Sequence, residues 1–221
     1  MISNTIIQNR VQIEAFILVG GRSSRLGSDK AFVKLGGKTL MRRAVDVVRE
    51  AFPENPITAV AGNSTQFAIQ AIMADVAFIF DLHADRGPLG GLHAALAHTR
   101  SEWIFVLACD YPFVSPEFLR LLAQYVSPDF GAVVPEQADG RLQPLCAIYN
   151  VEAARPLVEE IIARPRVSPP MHEVVERLDA RIVKFDEYAH LGGAEELFCN
   201  INTADDVERA KEIDSRRSVA E

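Results

Sequence analysis

Arg25 and Lys30 stand in the segment Gly20-Gly21-Arg22-Ser23-Ser24-Arg25-Leu26-Gly27-Ser28-Asp29-Lys30, which joins backbone freedom to positive charge. Glycine has no Cβ, so its backbone N–H groups can approach an anion closely. Hydroxyls such as that of Ser23 add donors, and the cations add charge-assisted ones. The segment follows at once on the apolar run Ala15-Phe16-Ile17-Leu18-Val19, which reads as a buried strand. A cationic glycine loop at the carboxyl end of a strand is a candidate phosphate site. The plain alternative is a polar surface turn. The loop is not a Walker A motif, because five residues separate Gly21 from Gly27 and Lys30 comes three positions later. No G-x-G-x-x-G fingerprint is present either.

Two aspartates end apolar runs in the same way. Asp110 follows Ile104-Phe105-Val106-Leu107-Ala108-Cys109, and Asp81 follows Phe78-Ile79-Phe80. Ligands of open α/β sheets sit beyond the carboxyl ends of the strands. A carboxylate there can hold Mg²⁺, which takes one or two carboxylates together with substrate phosphates. Asp110, between a buried strand and a helix in Cys109-Asp110-Tyr111-Pro112-Phe113, reads as the metal ligand. For Asp81, a turn former or helix cap is an equal reading. Asn63, in Val60-Ala61-Gly62-Asn63, fits a turn or a ligand contact equally well. The stretch Arg86-Gly87-Pro88-Leu89-Gly90-Gly91 reads first as a tight turn with close helix packing. No Ser-His-Asp grouping is suggested, the cysteines have no visible activating partner, and His93 and His98 lack metal-ligand spacing.

These residues need a scaffold, and the pattern supplies one. Strand-like and helix-like segments alternate, the mark of an α/β sheet. Strands are expected at 15–19, 57–61, 76–80, 103–108, 131–134, 145–149 and 181–185. Helices are expected at 40–52, 65–73, 88–98, from the Ser115 cap to about 125, at 152–163, 171–178 and 203–213. Thr203 reads as an N-cap with Asp206 at the capping-box position. The segment 145–149 is expected to pair as a hairpin or returning strand. Residues 1–13 read as an extension, 14–213 as one domain and 214–221 as a tail. The chain has 221 residues and a net charge of −7, which argues against wrapping a nucleic-acid backbone and suits a small phosphorylated ligand. No apolar stretch approaches the roughly 20 residues of a membrane span. Three widely spaced cysteines suit a reducing cytoplasm.

The order G-G-x-S-x-R-L-G-x-D-K resembles the signature loop of the molybdenum cofactor guanylyltransferase family of nucleotidyltransferases. Members commonly have Leu-Ala-Gly-Gly where this chain has Leu18-Val19-Gly20-Gly21, which puts a bulkier side chain near the expected base pocket. The string C-D-x-P-F resembles the family's second motif. The resemblance covers about residues 14–213 and implies a single-domain, Rossmann-like α/β fold, with a mostly parallel sheet flanked by helices. It implies Arg25, Lys30 and Asp110 as catalytic residues, with Asp110 binding Mg²⁺. It implies nucleotide contacts from Leu18, Val19, Gly20, Gly21, Ser23, Lys30, Asn63, Asp81, Gly87, Pro88, Leu89 and Asp110. Arg141-Leu142-Gln143-Pro144-Leu145-Cys146 resembles a segment facing the acceptor, and Asn200-Ile201-Asn202-Thr203 a closing motif.

By this resemblance the donor is GTP and the acceptor is the phosphate of molybdopterin, with or without its metal. An acceptor phosphate oxygen attacks the α-phosphorus in line, pyrophosphate leaves, and no covalent enzyme intermediate forms. Molybdenum insertion proteins or molybdoenzyme chaperones are the implied protein partners. Two other readings stand beside it. One is a cytidylyltransferase of molybdopterin or a sugar-phosphate nucleotidyltransferase. The other is a non-catalytic protein that binds the nucleotide or cofactor.

Overall fold

The computed structural model describes residues 12–19, 30–62, 75–83, 86–164 and 170–220. The expected helix at 65–73 lies outside them. Nine strands are described: β1 (Ile13–Leu18), β2 (Lys34–Leu35), β3 (Lys38–Thr39), β4 (Ile57–Ala61), β5 (Ala77–Phe80), β6 (Trp103–Ala108), β7 (Ala132–Pro135), β8 (Cys146–Asn150) and β9 (Ala180–Val183). The helices are α1 (Leu40–Ala51), α2 (Pro88–His98), α3 (Pro116–Gln124), α4 (Val151–Ile162), α5 (Met171–Arg177), α6 (Phe185–Tyr188) and α7 (Ala204–Ala220).

Seven strands form one sheet in the order β5-β4-β1-β6-β8-β7-β9. Every pairing is parallel except those of β8, which runs antiparallel to both β6 and β7. The returning strand expected near 145–149 is therefore inserted between two parallel partners. β6 is a continuous apolar run, and β1 is one from Ala15 onward, because both their faces are covered. Ile13, Ala15, Ile17, Trp103, Phe105 and Leu107 face the core shared with α1 and α3. Phe16, Leu18, Ile104 and Val106 face the core shared with α2, α4 and α5. This alternation is the strand's two-residue period.

From β1 the chain moves outward through β4 and β5, then returns to place β6 on β1's other side. A crevice opens at such a switch point, beyond the carboxyl ends of β1 and β6. Asp110 follows the end of β6, and Asp81 the end of β5.

Several boundaries differ from expectation. The strand expected to reach Phe185 stops at Val183, and Phe185 opens the short helix α6. The Lys184 N–H donates to the Glu187 carboxylate at 2.8 Å, a local cap that ends the strand. The helix expected to end at Ile213 runs to Ala220, held by side-chain contacts distant in sequence. The hairpin β2–β3 had no apolar run to announce it. Its turn is Gly36-Gly37, with φ of +58° and +81°, the conformation a tight two-residue hairpin needs. Thr39 then caps α1, accepting from the Arg42 N–H at 3.2 Å. A smaller cluster of Leu35, Leu40, Phe113, Ile201, Ala210 and Ile213 ties this hairpin to α7. Among the described residues no helix is long and apolar enough to cross a membrane.

Candidate active site

Lys30 and Asp110 are 80 positions apart in the chain and meet across the crevice. Lys30 opens a single 3₁₀ turn, Lys30–Phe32, anchored by the buried Ala31. Asp110 comes two residues after β6, and the Cys109 N–H still donates to the Leu18 carbonyl at 3.1 Å. The sheet pairing thus extends one residue past the strand and holds the carboxylate at β1's end. The Lys30 Nζ donates to Asp110 Oδ2 at 3.0 Å and also to Asn202 Oδ1. The two charged side chains are 17% and 19% exposed, so they are shielded yet open to a ligand.

Asn202 reaches Lys30 because the start of α7 is fixed. The Ile201 N–H donates to the Asp110 carbonyl at 3.1 Å, joining the two loops directly. Asp206 Oδ2 accepts from the N–H groups of Asn202 (3.0 Å) and Thr203 (2.9 Å), and the Asp206 N–H donates to Thr203 Oγ1 at 3.2 Å. This is the reciprocal cap read from the sequence. Burial opposes the charge on Asp206, but these donors prevail and hold its carboxyl below the ordinary carboxylate range.

Asp81 lies on the far side of β4, with its N–H donating to the Ala61 carbonyl at 3.0 Å. Its residue is only 7% exposed. Burial raises its carboxyl above the ordinary range, partly offset by the His83 N–H donating to Oδ1 at 2.7 Å. The carboxylate packs against the first turn of α2. A Cβ on Gly90 would lie 2.5 Å from Asp81 Oδ2 and 2.5 Å from the His83 carbonyl. Gly90→Ala therefore displaces Asp81. If Asp81 contacts nucleotide, the variant weakens GTP binding about tenfold while retaining the fold, as titration calorimetry would measure.

The raised pKa also sets a stability signature. Burial lifts Asp81 above its unfolded-state value, so the ionised carboxylate costs stability at neutral pH. That cost fades as pH falls through the folded-state pKa towards the unfolded one. Asp81→Asn should raise the thermal midpoint at about pH 7, with the gain gone below about pH 4. Melts at the two pH values check this.

Leu18, Val19, Gly87, Pro88 and Leu89 surround these groups. Leu18 and Leu89 are core side chains, and the Leu18 carbonyl accepts from the Cys109 N–H within the sheet. Val19 buries its side chain in the core under α1, which keeps its extra bulk within the protein interior. Gly87 takes φ +57° as the N-cap of α2, and Pro88 is the first helical residue. Gly20, Gly21, Ser23, Arg25 and Asn63 lie outside the described residues.

On the other side of Asp110, a cavity of about 540 Å³ opens beside Tyr111, Gln143, Arg141, Asn200 and Arg209. Its polar wall is a relay absent from the sequence expectations. The Tyr111 hydroxyl donates to Gln143 Oε1 at 2.9 Å, and Gln143 Nε2 donates to Gln137 Oε1 at 2.8 Å. Burial, reinforced by the Asp110 charge, pushes the Tyr111 phenol far up, so it remains a donor. Gln143 falls within a segment picked out from the sequence; Tyr111 was signalled only by its place after Asp110. The three cysteines are free thiols, and Cys109 and Cys146 are buried.

Comparison with known proteins places the chain in a family. The model of the MobA-like NTP transferase domain matches residues 15–185. A probable molybdenum cofactor guanylyltransferase of Pelotomaculum thermopropionicum is 31% identical over 202 residues, covering 91% of this chain and 93% of the relative. A protein of the same description from Methanosarcina mazei is 31% identical over 207 residues, with 91% of each chain covered. The crystal structure of molybdopterin-guanine dinucleotide biosynthesis protein A from Archaeoglobus fulgidus superposes with a TM-score of 0.73 at 28% identity, covering 92% of this chain and all of that one. A match over most of the length, on a fold that brings Lys30 and Asp110 together at the switch point, makes this chain a member of the MobA-like NTP transferase family.

Proposed function

We propose that this protein transfers GMP from GTP to the terminal phosphate of molybdopterin, giving the guanine dinucleotide cofactor and pyrophosphate. The observation that carries the reading is the convergence of Lys30, Asp110 and Asn202 on one crevice at the end of β1 and β6. It is joined by the shared family of relatives described as guanylyltransferases.

Asp110 fits Mg²⁺. It presents a hard carboxylate oxygen, 19% exposed, beside the Lys30 ammonium. Mg²⁺ held there supplies positive charge to the triphosphate. Without nucleotide, the Lys30 ammonium neutralises that carboxylate at 3.0 Å. With nucleotide, Lys30 turns its donors to the phosphates, and Asn202 keeps the side chain aimed at the crevice. Arg25 and the amides of Gly20, Gly21 and their neighbours grip the β- and γ-phosphates. Asn63, Asp81 and the backbone of Gly87, Pro88 and Leu89 line the nucleoside side.

The cavity beside Tyr111 takes the acceptor. Its volume of about 540 Å³ lies within the usual range for small-molecule sites. Arg209 suits an anion, Arg141 being paired with Asp139 at 2.7 Å, and the Tyr111–Gln143–Gln137 relay suits a ring with hydrogen-bonding edges. In-line attack on the α-phosphorus then needs positioning and electrostatic stabilisation and no nucleophile from the protein. Mass spectrometry of the product made from GTP and molybdopterin tests the reading. The guanine dinucleotide form is expected, and unchanged molybdopterin would overturn it.

A further inference from the structure

The loop that carries Asp110 runs from the end of β6 to the Ser115 cap of α3. The sheet fixes its start through Cys109 and Leu18. Pro112 and Phe113 lie beyond that pairing, and two arginines from remote parts of the chain reach their carbonyls. Arg43 of α1 donates to the Pro112 carbonyl and to the Leu35 carbonyl, each at 3.4 Å, while its Nη2 lies 2.9 Å from Asp214 Oδ1 of α7. Arg217, three residues further along α7, donates to the Phe113 carbonyl at 3.3 Å, to the Gly193 carbonyl at 3.1 Å and to Glu196 Oε2 at 3.0 Å. Its guanidinium stands 5.0 Å from the centre of the Phe113 ring.

The surroundings are shaped for these contacts. Gly36 has φ +58°, and a Cβ there would lie 2.5 Å from Asp214 Oδ2. Gly193 has φ +71°, and a Cβ there would lie 2.1 Å from Arg217 Nη2. Both glycines therefore satisfy a turn and admit a charged side chain. An ordinary surface ion pair contributes little and fixes no backbone. Here each guanidinium divides its donors between a carboxylate and two carbonyls, one of them in the Asp110 loop. Only the planar five-donor fork of arginine can do this.

We propose that Arg43, Asp214 and Arg217 are positioning residues: the last turns of α7 hold the loop that presents Asp110 and so set where its carboxylate stands. The contacts described above take Arg43 and Arg217 to the carbonyls of the loop rather than to the Asp110 carboxylate. They act through the loop, and the proposal rests on the reading of Asp110 as the cation ligand. Groups that orient a metal ligand commonly change metal affinity or activity about 10- to 100-fold when removed.

The test uses the full chain with Arg217→Ala and Asp214→Ala, and the milder Arg217→Lys and Asp214→Asn. Hydrogen exchange across residues 109–115 of the ligand-free protein reads the loop. Electron paramagnetic resonance titration with Mn²⁺ in the presence of GTP reads the carboxylate. In both alanine variants, loop exchange should quicken about tenfold relative to β6, and the Mn²⁺ dissociation constant should rise about tenfold, with metal-free GTP affinity unchanged. Asp214→Asn keeps an acceptor for Arg43 and should stay within about twofold of the parent. Parental loop exchange and Mn²⁺ affinity in folded Arg217→Ala would overturn the proposal. If that variant fails to fold, Arg217→Lys decides, since lysine keeps the charge but cannot span three acceptors. A smaller shift in the same direction supports the brace, and parental values overturn it. A parent protein that binds no Mn²⁺ with GTP counts against the reading of Asp110 instead, while the exchange comparison still decides the brace.

Discussion

Asp110→Asn should lose nearly all pyrophosphate release while keeping its fold. Asparagine has the shape of aspartate and can still accept from Lys30, so the 3.0 Å contact across the crevice has a replacement. The loop also keeps its backbone ties, from Cys109 to Leu18 and from Ile201 to the Asp110 carbonyl. What disappears is the negative charge proposed to hold a divalent cation. The expected loss is about 10³-fold or more in turnover, at or above what removing one transition-state donor costs. Steady-state pyrophosphate release and a thermal melt check both halves. Turnover close to that of the parent would remove Asp110 from the reaction.

Lys30→Ala should cost about 10²- to 10³-fold in kcat, or about 2.7–4 kcal/mol of transition-state stabilisation, with a smaller change in KM for GTP. The reason is geometric. Lys30 sits on a 3₁₀ turn anchored by the buried Ala31, and Asn202 and Asp110 both accept from its ammonium, so its charge is already aimed before nucleotide arrives. Preorganised charge acts most where charge develops on the transferring phosphorus oxygens. Lys30→Arg should recover little, because a planar guanidinium does not occupy the compact position of an ammonium between two acceptors. Stopped-flow and steady-state pyrophosphate assays separate the two parameters. A variant with raised KM and unchanged kcat would make Lys30 a binding residue only.

The legible parts of this molecule were those written in local pattern. The apolar runs of β1 and β6 announced buried strands because both sheet faces are covered, and Pro116 and Thr203 marked helix starts through their caps. Asp110 was legible as well, since a polar residue directly after a buried run must stand at the sheet's carboxyl end. The meeting of Asp110 and Asn202 on Lys30 was not. It depends on the Ile201 N–H docking on the Asp110 carbonyl, a tertiary bond between loops 91 residues apart that no local signal encodes. The end of α7 was hidden for the same reason. Residues 214–220 look like a polar tail, and what makes them a helix is Arg43 and Glu196 waiting on other elements. The Gly36-Gly37 turn had a local signature, but strands of two residues are too short for any periodicity to appear.

The central claim is guanylyl transfer, and the most direct measurement is pyrophosphate release with Mg²⁺ and molybdopterin, comparing GTP, CTP and ATP. Release with GTP alone is the predicted result. Release with CTP in preference to GTP would move this chain to cytidylyl transfer, and no release with any of the three would contradict catalysis on this acceptor altogether.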